Sequence, residues 1–246
     1  MRIALVDSDI VAYRAAILTE ADDSPAQAVE LSDRIHDTWL DAAEADILIP
    51  CITRGSNFRN ILWPAYKSNR KDKVRPRHLS PVYEHIMKHP NLKYHSGWEA
   101  DDVLGFMQTM PLGMDLIIVS IDKDLDQIPG WHCNPDKEVR YEVSIDDADL
   151  YKWMQVLSGD STDGYAGIAG IGQGKAGKIL ADVSFGDRQS VVESVYTGKE
   201  LDTTYYSAML KCAEIVQYSK DIECELLLQD SSVDSTLVTF LRSLRR

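Results

Sequence analysis

The sequence predicts an open α/β sheet domain followed by a smaller, mostly helical region, and three observations predict it. Short apolar runs at 3–6 (Ile-Ala-Leu-Val), 47–52 and 116–121 (Leu-Ile-Ile-Val-Ser-Ile) suit strands buried on both faces of a parallel sheet. Stretches with helical spacing lie between these runs. After about residue 145 the strand-like runs stop and helical patterns take over. In chain order, the strand at 3–6 is followed by a helix over 26–44, where Ala28, Leu31, Ile35, Trp39 and Leu40 share one face. The strand at 47–52 comes next, then a helix over 100–110 carrying Val103, Leu104, Met107 and Met110, then the strand at 116–121. Asp146 is placed to cap a helix whose inner face is Leu150, Trp153, Met154 and Leu157. A glycine-rich segment, DGYAGIAGIGQGKAGK, holds six of the chain's fourteen glycines between Gly164 and Gly177. Helical patterns recur at 188–196 and 204–218, and the chain ends on a basic SLRR. The boundary falls near 145–158, with residues 1–150 as the α/β domain and 151–246 as the helical region.

Composition bounds the function. The 246 residues, 44% apolar and 26% charged, are enough for one large domain or two modest ones. The formal charge of −13 argues against a protein that coats nucleic acid nonspecifically, yet it leaves room for a locally basic groove. No uncharged run approaches the roughly 20 apolar residues of a membrane span. Asp7 interrupts the stretch where a signal peptide would still be apolar, which predicts a cytoplasmic protein. Cys51, Cys133, Cys212 and Cys224 are scattered without a CxxC pair and read as reduced thiols.

Acidic residues gather at the ends of elements. Asp7 and Asp9 follow the first strand; Asp122, Asp124 and Asp126 follow the strand 116–121; Glu99, Asp101 and Asp102 open the helix before it. In open α/β sheets the site lies beyond the carboxyl ends of the strands, so these groups are candidates to converge there. Singly, each also suits a turn or a helix start. Converging carboxylates require protons or a cation. Oxygen donors without His or Cys favour Mg²⁺ or Mn²⁺, and Mg²⁺ meets substrate phosphates in two-metal phosphoryl chemistry.

Residues 54–78 reverse the charge. Arg54, Arg59, Lys67, Arg70, Lys71, Lys73, Arg75 and Arg77 stand against Asp72, a local charge of +7 that leaves −20 for the rest. Phe58, Trp63 and Tyr66 are interleaved with them, a mixture that suits phosphate contact and base stacking; a solvated charged helix is the plainer alternative. Pro64 and Pro76 argue against one uninterrupted helix. Within the glycine-rich segment, GQGKAG and GQGKAGK match two nucleotide-binding patterns. Neither has its context, because no strand precedes the first and Ile179 follows Lys178 where the second needs Ser or Thr. A turn between short helices fits better, with free N–H groups for a phosphate, Lys175 and Lys178 adding charge, and Asp160 and Asp163 just upstream.

Together, LVDSD (5–9), FRNILWPAYKSNRK (58–71), EADDVLG (99–105), SIDKDLDQI (120–128) and LSGDSTDGYAGIAGIG (157–172) resemble the flap endonuclease family, the 5′-nucleases, and above all its bacteriophage 5′→3′ exonucleases. The five stretches occur in the family's order. The resemblance implies a PIN-like parallel-sheet domain with a helix–three-turn–helix DNA-binding element and a basic arch at about 54–78. It implies hydrolysis of phosphodiesters near the 5′ ends of duplex, flapped or branched DNA, and of RNA annealed to DNA. By motif position, Asp7, Glu99, Asp101, Asp102 and Asp122 correspond to ligands of a first metal, and Asp124, Asp160 and Asp163 to those around a second. Lys67 and Arg70 would contact the scissile phosphate. Tyr66 would stack on a base, with Arg59 and Lys71 as further DNA contacts. Gly170, Gly172, Gly174 and Lys175 would hold the duplex backbone, with K⁺ at the turn. The sequence departs from the family in one place, since 47–71 contains no Asp or Glu where members carry an acid after the second strand. Asp9 is a candidate to compensate.

The expected function is therefore that of a two-metal 5′-nuclease, monomeric, of bacterial or phage origin. The alternative is a non-catalytic binder of branched DNA with the same fold. A phosphatase using Asp7 and Asp9 as a nucleophile pair leaves the basic segment and the glycine turn unexplained.

Overall fold

The computed structural model describes residues 1–70, 73–229 and 233–244. Among these residues five strands form one sheet, in the order β2-β1-β3-β4-β5. β1 (Arg2–Asp7), β2 (Ile47–Cys51), β3 (Asp115–Val119) and β4 (Gly130–Asn134) are parallel, and β5 (Val139–Val143) pairs antiparallel with β4. The first helices are α1 (Ser8–Leu18), α2 (Ala26–Ala42), α3 (Phe58–Leu62), α4 (Leu79–Ile86) and α5 (Ala100–Thr109). Then follow α6 (Ile145–Ser158), α7 (Gln173–Leu180), α8 (Arg188–Thr197), α9 (Thr203–Ala213), α10 (Lys220–Leu228) and α11 (Thr236–Leu244). No described helix is long and apolar enough to cross a membrane.

β1 lies between β2 and β3, with Leu5 opposite Ile49 on one side and Ile118 on the other. Ile3, Ala4, Leu5 and Val6 are all buried, as a strand covered on both faces requires. Burial of each larger side chain is worth about 1.5–3 kcal/mol. The chain passes from β1 straight into α1, where the Asp7 carboxylate caps the first turn by accepting from Ile10 N–H. α1 turns Val11, Ala12, Ala15 and Ala16 inward, and the alanines allow close approach to its neighbours.

The expected strands and the expected helices at 26–44, 100–110 and 188–196 are present to within a few residues. β4 and β5 were not legible. β4 reads GWHCN and β5 VRYEV, neither a continuous apolar run, and the turn between them depends on Glu138 at φ 53°. The cap of α6 is Ser144, which accepts from Asp147 N–H, rather than Asp146. The helical pattern at 204–218 stops at Ala213 in α9, because Arg59 takes the carbonyls of Cys212 and Glu214 that a further turn would use.

The chain divides into two compact units. The sheet unit comprises the described residues of Met1–Ser56, Val74–Val143 and Val216–Arg246; the helical unit comprises those of Asn57–Lys73 and Ser144–Ile215. These units depart from a division at 150/151 at two places. The front of the basic segment belongs with the helical unit, where Tyr66 joins a core of Trp153, Val156, Leu157, Tyr165 and Ile168, with Trp63 packed against it. The chain beyond 215 belongs with the sheet unit: Val216 N–H donates to Asp102, Tyr218 N–H to Thr109, and Leu237 N–H to the Tyr94 carbonyl.

Candidate active site

In the sheet unit, acids gather beyond the carboxyl ends of three adjacent strands, β2, β1 and β3. Asp7 ends β1, and its buried carboxylate accepts from Ser120 Oγ at 3.0 Å. Ser120 in turn accepts from Asp122 N–H at 3.1 Å, so one hydroxyl bridges the ends of β1 and β3. Burial first, then the charges of Asp9 and Asp122, push the Asp7 pKa up to about 7. Asp9, in the first turn of α1, accepts from Thr53 N–H at 3.0 and 3.1 Å and from Tyr83 O–H at 3.0 Å. Its pKa is raised by burial and by the Glu99 charge, against those hydrogen bonds. Asp9 therefore fills the end of β2, where the sequence has no acid of its own.

Glu99 and Asp102 form a reciprocal capping box at the start of α5, the Glu99 side chain accepting from Asp102 N–H and Asp102 Oδ2 from Glu99 N–H. Asp102 is fully buried, and its other oxygen accepts from Val216 N–H at 3.0 Å. Asp102 was expected as a metal ligand; the structure gives its carboxylate to backbone donors. Asp101 is half-buried in the same turn. Asp122 is exposed and accepts from Asp124 N–H at 2.9 Å, capping the 3-10 turn Lys123–Gln127.

The donor set is wholly oxygen, which fits a hard divalent cation. The carboxylates of Asp7, Asp9, Glu99, Asp102 and Asp122 are also turned onto internal donors. Among the described residues no three His, Cys, Asp or Glu side chains are grouped to hold one ion. Asp122 is the exposed acid of the set. Ser120, Thr53 and Tyr83 were missed from sequence. Only Ser120 left a signal, a polar residue inside the apolar run 116–121.

In the helical unit, residues 159–172 form the turn between α6 and α7. Asp160 Oδ1 accepts from Thr162 N–H at 2.6 Å and Asp163 N–H at 3.2 Å, closing the turn on itself. Asp163 faces cations instead, pairing with Arg70 at 2.5 Å and with Lys67 Nζ at 3.5 Å. The glycines separate into two kinds. A Cβ on Gly159 or Gly167 would stand 2.3 Å from backbone of the opposite arm, so these positions close the turn. Gly172 and Gly174 are exposed, have no neighbour within 4 Å of that position and do not need a positive φ. Gly170 is equally open, though its φ of +79° favours glycine. Lys175 is exposed, with Nζ 3.4 Å from the Gly170 carbonyl.

Two expected DNA contacts are corrected. Arg59 is only 2% exposed, and its guanidinium donates to the Cys212 and Glu214 carbonyls. Tyr66 is 3% exposed, its ring near Tyr165 and its O–H on Asp163, which leaves no face for a base. Lys71 lies outside the described residues.

An open, mostly parallel sheet with acids beyond its strand ends places a candidate ligand site at those ends. Residues 2–151 match the family described as 5′-3′ exonuclease, N-terminal resolvase-like domain, and the chain belongs to that family. It is 30% identical over 162 residues to the exonuclease of Escherichia phage T7, a match covering 59% of this chain and 51% of that one. It is 33% identical over 138 residues to flap endonuclease Xni of a Shewanella species, covering 50% and 53%. It is also 28% identical over 184 residues to DNA polymerase I of Rhizobium leguminosarum, covering 67% of this chain and 17% of the polymerase. The matched regions thus span about half the length of the first two relatives and far less of the polymerase. In fold, the chain is similar to bacteriophage T5 flap endonuclease, solved as a pseudo-enzyme–product complex with DNA and metal ions. The TM-score is 0.70 at 14% identity, over 100% of this chain and 98% of that one.

Proposed function

We propose that the chain is a divalent-metal-dependent 5′→3′ exonuclease and flap endonuclease, hydrolysing phosphodiesters near the 5′ ends of duplex or branched DNA and of RNA annealed to DNA. The observation that carries this reading is the set of acids at the ends of β2, β1 and β3, in which Asp7 is held short of counter-charge by burial, Asp9 and Asp122.

Asp7, Glu99, Asp101, Asp122 and Asp124 are the residues we assign to Mg²⁺ or Mn²⁺ on the sheet unit. Asp160 and Asp163 are the acids the helical unit offers. When bound, divalent ions supply charge neutralisation and an activated water. Ser120 fixes the Asp7 carboxylate and the backbone of Asp122 together. Thr53 and Tyr83 hold Asp9, and Asp102 fixes the start of α5, which positions Asp101. Lys67 and Arg70 stabilise charge developing on the phosphate, a contribution of about 3–4 kcal/mol for a well-aimed group. Gly170, Gly172, Gly174 and Lys175 receive the duplex backbone. The open space at Gly172 and Gly174, which nothing within the chain requires, supports that assignment. K⁺ at this turn, action as a monomer, and location in the cytoplasm of a bacterial or phage-infected cell complete the proposal.

The test is cleavage of a 5′-labelled flap duplex and a matched blunt duplex under Mg²⁺, Mn²⁺ or EDTA, with Asp122→Asn run alongside. Cutting near the junction that EDTA and the substitution both abolish is the expected result. A second reading, a branched-DNA binder without turnover, draws on the absence of any acid in 47–71. Retained flap binding with no cut under either metal would establish it.

A further inference from the structure

Within the helical unit, the basic segment is fastened to the glycine-rich turn at several points. Arg70 and Lys67 share the Asp163 carboxylate, and Tyr66 O–H donates to it at 3.2 Å. The backbone follows the side chains. Lys67 N–H donates to the Asp163 carbonyl at 2.7 Å, Asn69 Nδ2 to the Thr162 carbonyl at 3.1 Å, and Trp63 Nε1 to the Gly164 carbonyl at 3.1 Å. At Gly164 the two segments touch so closely that a Cβ would stand 2.5 Å from the Ala65 carbonyl oxygen. Lys67 itself has a φ of 51°, a left-handed conformation that costs a non-glycine residue about 1–2 kcal/mol. The bond from its N–H to Asp163 offsets that cost.

The side chains of Lys67 and Asp163 are only 19% and 20% exposed, so their attraction is screened less than that of a surface pair. One carboxylate cannot neutralise two cations. Lys67 and Arg70 thus bring two cations to the Asp163 carboxylate, beside a turn of the kind whose backbone N–H groups suit an anion.

We propose that Asp163 is a latch, holding Lys67 and Arg70 in a closed arrangement that a substrate phosphate opens by taking the two cations. The identity of the competitor rests on the nuclease reading; the latch itself does not. Once the phosphate has the cations, Asp163 has lost two positive neighbours and gains affinity for a divalent ion. Phosphate and metal then favour each other's binding, and the coupling is reciprocal.

The latch is read first without nucleic acid. In EDTA, tryptic cleavage after Lys67 and Arg70 should be faster in Asp163→Asn than in wild type, with Asp163→Ser moving the same way. Binding of a 5′-phosphorylated flap duplex in EDTA should tighten roughly five- to tenfold in Asp163→Asn, and its salt dependence should steepen by about one to two counterions. That gain should vanish when Lys67→Met and Arg70→Met are added. Unchanged tryptic rates, or a binding gain that survives loss of both cations, would overturn the latch. Faster tryptic cleavage in a chain that binds no DNA at all would uphold the latch and contradict the nuclease reading instead.

Discussion

The acids of the sheet unit and those of the helical unit are the same residue type in opposite electrostatic settings. Among the described residues, Asp7, Asp9 and Asp122 meet neutral donors, namely backbone N–H groups and the hydroxyls of Ser120, Thr53 and Tyr83. Asp163 meets two cations and a phenol. A carboxylate held by neutral donors keeps its need for a counter-charge, whereas one already paired must release a partner first. The first setting suits a standing metal site. The second suits an exchange.

Substitutions should separate the two settings, and the largest effect belongs to the sheet. Asp122→Asn should lower single-turnover cleavage by more than about a hundredfold while leaving Tm within a degree or two, because Asp122 is exposed. A thermal melt beside the rate assay checks both halves. Next come Arg70 and Arg59, which share a charge and a segment. Arg70→Met should reduce cleavage by about 10²–10³-fold with little change in melting. Arg59→Met should instead destabilise the helical unit by about 1–3 kcal/mol, since it strands the carbonyls that end α9. If Arg59→Met melted like wild type and bound DNA poorly, its burial would be the wrong guide.

Asp102 divides sequence from structure most clearly. By motif it belongs with the ligands, and only the fold reveals the two backbone N–H groups that use its carboxylate. Asp102→Ala should cost about 1–3 kcal/mol of stability in EDTA, where no metal contributes. A melt in EDTA that matched wild type would return Asp102 to the metal.

The sheet and the acid clusters were legible because continuous apolar runs and the residues just after them are local signals. What was not legible depends on contacts distant in sequence. Trp63 and Tyr66 look like stacking aromatics among cations, yet their ring partners, Tyr205 and Tyr165, lie far along the chain, and these put Tyr66 in the core and Trp63 partly buried against it. The hairpin β4–β5 has no continuous apolar run, and the alternation in VRYEV lasts only five residues. The return of 216–244 to the sheet unit hangs on bonds to Asp102, Thr109 and Tyr94 that no periodicity announces. The apolar spacing of Leu237, Val238 and Leu241 in α11 was the one available hint of a buried face.

The smallest effect concerns pH and separates a buried histidine from the acids. His36 on α2 bonds Ser8 Oγ at 2.8 Å, and burial, with the charges of His89 and His85 added, lowers its pKa to about 4. The folded chain therefore resists a proton that the unfolded chain accepts below about 6.5. Stability from this group is complete above that value and falls as pH drops towards 4, by at most about 3 kcal/mol. His36→Gln should flatten the melting profile between pH 6.5 and 4. A profile identical to wild type would show that other groups carry the acid sensitivity.

The most direct measurement is Mn²⁺ binding without DNA, counted by electron paramagnetic resonance of the free ion, in wild type, Asp122→Asn and Asp163→Asn. Wild type and Asp163→Asn should bind Mn²⁺ alike, and Asp122→Asn should lose it. Equal binding by wild type and Asp122→Asn, or loss confined to Asp163→Asn, would contradict the assignment of the standing metal site to the strand-end acids.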